Sequence, residues 1–84
     1  MKLIFSDEAW EDYLYWQRQD KAVVKRINEL INACKRDPFV GIGKPEPLKH
    51  ALAGYWSRRI TEEHRMVYRA DKDSLSIAQL RYHY

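Results

Sequence analysis

Between Pro38 and Pro47 the chain holds all three of its prolines and two of its three glycines, and the period of its apolar residues differs on the two sides of that segment. Before it, Val23, Ile27, Leu30, Ile31 and Cys34 recur at i, i+4, i+7, i+8 and i+11, one stripe of a helix. After it, Tyr55 to Thr61 and Arg65 to Ala70 alternate, which is the period of a strand. A chain of this kind pairs a helical half with a sheet half, and the proline fixation of φ makes the connector a restrained loop.

The remaining boundaries follow from local chemistry. Leu3-Ile4-Phe5 reads as a short strand. Ser6 supplies an N-cap oxygen, with Asp7 and Glu8 in the first turn, where the helix dipole favours negative charge. Trp10, Tyr13, Leu14 and Gln17 carry that helix to about Gln19, and Asp20 caps the next one. Asp37-Pro38 ends it, because a residue before proline avoids helical geometry. Beyond the loop, Glu62-Glu63-His64 and Asp71-Lys72-Asp73 are tight connections, and Ser74 to Tyr82 or beyond reads as the last strand. The predicted order is β-α-α-β-β-β. This is an α+β fold, a two-helix antiparallel hairpin on one face of an antiparallel sheet, in a single domain spanning residues 1–84.

With 84 residues, 45% of them hydrophobic, the chain is a folded globule of modest stability. Its single cysteine, Cys34, forms no internal disulfide, which fits a reducing, cytoplasmic setting. The apolar run after Lys2 is too short for a signal peptide or a membrane span. The net charge of +3 is uneven, with −3 in residues 1–20 and +6 in the rest, which suits an anionic partner.

Parity gives that charge a place. If Ile60, Met66 and Tyr68 pack under the helices, Arg59, Arg65 and Arg69 point to the uncovered face, joined by some of Gln79, Arg81 and His83. The loop carrying Lys44, Glu46, Lys49 and His50 forms its rim. No cluster of His, Cys, Asp and Glu has metal-ligand spacing, no phosphate-binding glycine loop is present, and Cys34 falls on the apolar stripe; no cofactor is expected. What remains suits metal-free RNA cleavage. That reaction needs a base for a 2′-hydroxyl, cations on the phosphorane and an acid for the departing 5′-oxygen. Glu46 or His83 is the candidate base; Arg59, Arg65 and Lys49 are candidates for phosphate, and a histidine for the acid. The same residues also fit a solvated loop glutamate, arginines paired across strands with Glu62 or Glu63, and surface histidines, His64 and His50 among them.

K-P-E-P-L-K-H at 44–50, W-S-R-R-I-T-E-E-H-R-M-V-Y at 56–68 and the closing R-Y-H-Y together resemble the YoeB (Txe) toxins of bacterial toxin–antitoxin modules, within the RelE-like group. M-K-L-I-F-S and Y-L-Y-W-Q extend the resemblance over essentially the whole chain. It implies a RelE-like fold and a ribosome-dependent endonuclease that cuts mRNA in the ribosomal A site and stops translation. Carried over by position, the general base falls on Glu46, the phosphate-stabilising arginine on Arg65 and the general acid on His83, with Tyr84 orienting substrate and leaving group. Lys49 and Arg59 match supporting positions on the RNA backbone, followed by Arg58 and His50. The implied partners are the ribosome with its A-site mRNA, a YefM-type antitoxin, and operator DNA through the antitoxin complex; YoeB-like toxins are also associated with homodimers. Two rival readings stay open, a non-catalytic basic module that inhibits translation by occupying the ribosome, and a nucleic-acid-binding repressor. Because neighbouring strand residues face opposite ways, His83 and Tyr84 share one pocket only if the chain leaves strand geometry at Tyr82 or His83.

Overall fold

The computed structural model describes residues 1–82. Its elements are β1 (Lys2–Phe5), α1 (Asp7–Gln19), α2 (Lys21–Arg36), β2 (Glu46–Pro47), a 3₁₀ turn (His50–Leu52), β3 (Trp56–Arg59), β4 (Arg65–Ala70) and β5 (Ser74–Gln79). The helix boundaries are those the capping residues predict. Ser6 Oγ accepts from Ala9 N–H and donates to the Ala78 carbonyl, so one hydroxyl starts α1 and ties it to β5. Asp20 serves both helices. Its N–H closes α1 on the Trp16 carbonyl, and its carboxylate accepts from Ala22 N–H to open α2. No helix among the described residues is long and apolar enough to cross a membrane.

The sheet runs β1-β5-β4-β3-β2. The predicted β3-β4-β5 meander is present, but the sheet is mixed, because β1 joins β5 in parallel. A short N-terminal strand leading into a helix hairpin can reach a parallel slot, since the helices form the crossover. The loop also contains one element that its sequence does not signal: Glu46 pairs with Ser57, and Pro47 with Trp56, as a two-residue edge strand. Proline is tolerated there because the outer side of an edge strand needs no ladder donor.

The stripe on α2 (Val23, Ile27, Leu30, Ile31, Cys34) packs with Ile60, Met66, Tyr68, Leu75, Ile77 and Leu80 in one core. The burial of Leu80 breaks the simple alternation of β5. Val67 pairs with Gln79 whereas Tyr68 pairs with Ile77, so the intervening Ala78 is a bulge. The extra residue reverses the facing of the positions after it, placing Gln79 opposite the helices and Leu80 beneath them. Burial pushes the Cys34 thiol up, and it is the first cause that pushes the Tyr68 phenol up to about 12. Both stay protonated in the core.

Gly43 marks where the loop presses on this core. Its φ is +83°, its carbonyl accepts from Arg59 N–H at 2.6 Å, and an added Cβ would lie 2.7 Å from Leu30 Cδ2. Leu30 is fully buried and has no room to swing away. Gly43→Ala is therefore expected to lower stability by about 1–3 kcal/mol in urea titration, from backbone strain and overpacking together.

Candidate active site

Residues paired across strands share a face. The register runs Glu46, Ser57, Val67 and Gln79 across four strands, and Arg59 faces Arg65. Two positions along β3 from Ser57, Arg59 lies on that same face. Glu46, Arg59 and Arg65 are thus assembled on the side away from the helices, with Glu46 and Arg59 at diagonal positions, which lie about 7–8 Å apart in such ladders.

Arg59 opposite Arg65 is unfavourable by itself, since like charges directly across a ladder repel. The Nε of each is buried and lacks a hydrogen-bond partner. Neither forms an ion pair among the described residues; Glu63 lies instead 3.7 Å from His64. Arg69, the third arginine predicted on this face, is exposed and stacks over Tyr55. A pair of facing guanidiniums is suited to an anion with several oxygens, which planar forks bind bidentately.

The rim is a cleft of about 350 Å³ lined by Glu46, Pro47, Leu48, Lys49 and His50. Lys49 and His50 are exposed there, and His50 opens the 3₁₀ turn. Among the described residues, the non-glycine residues with positive φ are Lys44 (52°), His50 (57°) and Tyr82 (61°). Lys44 and His50 flank Glu46 in sequence, and Tyr82 precedes the two terminal candidates. Left-handed backbone outside glycine is costly and is retained where surrounding contacts impose it, often at functional sites.

Two expectations need correction. Arg58 is fully buried and belongs to the core face, paired with Met66. Its Nη1 donates to the Ile42 carbonyl, its Nη2 to those of Asp37 and Val40, and its Nε to the Tyr68 hydroxyl. Tyr68 in turn donates its hydroxyl to the Pro38 carbonyl at 2.6 Å. Arg58 is thus the anchor of the proline loop and is not available to RNA. The face opposite the helices is also not uniformly wet, since Ser57 and Val67 at its centre are buried.

His83 and Tyr84 lie outside the described residues. The segment before them leaves the sheet at Leu80, earlier than predicted, and is held from several sides. Leu80 N–H donates to the Asp12 carboxylate, and its carbonyl accepts from Trp16 Nε1. Arg81 turns away from the predicted face and lies over the Tyr15 ring of α1, 3.6 Å from its centre. Tyr82 donates its N–H to His64 Nδ1 at 2.7 Å and accepts from Arg65 N–H. Sequence reasoning singles out neither Asp12 nor Trp16 and takes His64 as a turn or surface residue. Turn and helix positions carry no local signal of a partner so distant in the chain.

Comparison with known proteins gives the family and the fold. The YoeB-like toxins of bacterial type II toxin–antitoxin systems match residues 5–84. Toxin YoeB of Escherichia coli K12 is 68% identical, with both chains covered over their full length. A YoeB/ParE toxin from Agrobacterium tumefaciens superposes with a TM-score of 0.96 at 55% identity, with full coverage of both chains. YoeB from Staphylococcus aureus, solved as a dimer, gives 0.94 at 50% identity over 100% of this chain and 98% of that one. The same toxin in a heterotetrameric complex with YefM gives 0.92 at 50% identity, with the same coverage.

Proposed function

The chain belongs to the YoeB-like toxins of bacterial type II toxin–antitoxin systems, and from that membership we propose that it is a ribosome-dependent endoribonuclease cutting mRNA in the ribosomal A site. The observation that carries the reading is the facing pair Arg59 and Arg65, beside Glu46 on one sheet face and without acidic partners among the described residues. In the proposed reaction Glu46 takes the proton of the 2′-hydroxyl, whose oxygen attacks phosphorus. Arg65, with Arg59 and Lys49, stabilises the charge that grows on the phosphorane. The bond to the 5′-oxygen breaks as that oxygen receives a proton from His83, and Tyr84 orients the departing nucleotide. The products are a 2′,3′-cyclic phosphate and a 5′-hydroxyl. Proton transfer is assigned to side chains.

The proposed partners are the ribosome, a YefM-type antitoxin like the one bound by Staphylococcus aureus YoeB, and operator DNA reached through the antitoxin. A homodimer is supported by the Staphylococcus aureus dimer and by exposed Leu3 and Trp10, which line one cleft.

Ribosomes programmed with a defined message test the reaction. The parent chain is expected to cut within the A-site codon in the presence of chelator. A chain lacking only His83 and Tyr84 should leave the message intact while still binding antitoxin. If the shortened chain arrests translation as strongly as the parent and neither cuts RNA, the protein is an occupancy inhibitor and the enzymatic reading fails.

A further inference from the structure

Tyr82 is a β-carbon-bearing residue held at φ +61°, a costly conformation that persists only where the surroundings impose it. Both of its backbone polar groups are taken. Arg65 N–H donates to its carbonyl at 3.1 Å, and its own N–H donates to His64 Nδ1 at 2.7 Å. The first of these bonds comes from a strand residue and would form with any side chain at position 65. The second depends on one imidazole.

That imidazole is itself fixed. Its ring meets Trp16 edge to face at 4.8 Å and lies 5.4 Å from the Tyr82 ring. Its backbone N–H donates to Thr61 Oγ1, and its carbonyl accepts from Ile60 N–H. An Nδ1 that accepts requires the neutral ring with its proton on Nε2, the nitrogen that faces the Glu63 carboxylate at 3.7 Å. His64 is half-buried at the tip of the β3–β4 turn and lies outside the Glu46 cleft, so its geometry points to support of a neighbour.

We propose that His64 is a positioning residue. Its Nδ1, acting as acceptor, locks the left-handed turn at Tyr82 that sets the direction in which the chain continues into His83 and Tyr84. The role rests on the nuclease reading above, because it matters only if those two residues act on RNA. Displacing a reacting group by about 1 Å can cost on the order of 100-fold in rate, so a single lost acceptor here reaches the chemistry without touching the substrate.

Two amides separate this role from a packing role. Asn carries its oxygen where Nδ1 lies, whereas Gln carries it near Nε2; both remove the aromatic ring and its contacts. With programmed ribosomes, His64→Gln is expected to lower the single-turnover cutting rate by roughly 10- to 100-fold at unchanged ribosome affinity. His64→Asn is expected to restore most of that loss. Hydrogen exchange at the Tyr82 amide provides a readout independent of activity: protected in the parent and in His64→Asn, unprotected in His64→Gln. Equal rates and equal protection in the two variants overturn the positioning role, even if both cut slowly. If the parent itself leaves the message uncut, the nuclease reading fails and the positioning role of His64 fails with it.

Discussion

Replacing Glu46 by glutamine is expected to slow A-site cleavage by about 10²–10⁴-fold, or roughly 3–5 kcal/mol of barrier, with ribosome affinity nearly unchanged. The side chain sits on the exposed two-residue strand β2, so the substitution removes a proton acceptor without opening the core. Glutamine keeps the shape and the polar contacts of the residue, whereas alanine also removes those contacts; a similar loss in both variants assigns the effect to proton transfer. The comparison is made as single-turnover rate against ribosome concentration. A Glu46→Gln chain that cuts at the parent rate eliminates Glu46 as the base and leaves His83 as the remaining candidate.

Arg58 produces the second large effect, on stability. Four hydrogen bonds leave its buried guanidinium, three to loop carbonyls and one to Tyr68. Arg58→Met leaves those carbonyls without donors, and Arg58→Lys offers a point charge where a planar fork is needed. Each is expected to lower the unfolding free energy by about 2–4 kcal/mol in urea titration, the range for breaking a buried polar network. For a domain with only about 5–15 kcal/mol in total, this is a large fraction. If Arg58→Lys matches the parent in stability but binds programmed ribosomes more weakly, Arg58 contacts RNA after all and the anchor assignment is wrong.

The helical half of the fold was legible because its signals are local. Ser6, Asp20 and Asp37-Pro38 each set a boundary from their own chemistry, and the α2 stripe names its buried face. The sheet was legible in order but not in its details. The parallel pairing of β1 with β5 and the bulge at Ala78 depend on residues far apart in the chain, which alternation within one strand does not reveal. Parity placed Arg59 and Arg65 together, as observed in the register. The same parity puts Arg58 beside Ile60 on the inner face, whereas its RNA-contacting role came from the resemblance alone; three loop carbonyls and the Tyr68 hydroxyl hold it in the core. The clasp of Asp12, Trp16 and His64 on the last described residues had no signature, since each bond joins a side chain to a backbone group, and any residue supplies one.

The place of β5 in the sheet also bears on how the molecule is made. β5 lies between β1 and β4, and β1 has no other strand beside it. Even the cap of α1 leans on this strand, through the Ser6 hydroxyl bond to Ala78, 72 positions away. During synthesis β1 and the helix hairpin therefore emerge before the strand that β1 pairs with, and before the sheet residues that cover the α2 stripe. Such dependence on distant contacts delays folding until the whole sheet is present. The sheet that carries Arg59 and Arg65 is complete, with β4 paired on both edges, only once β5 has joined it.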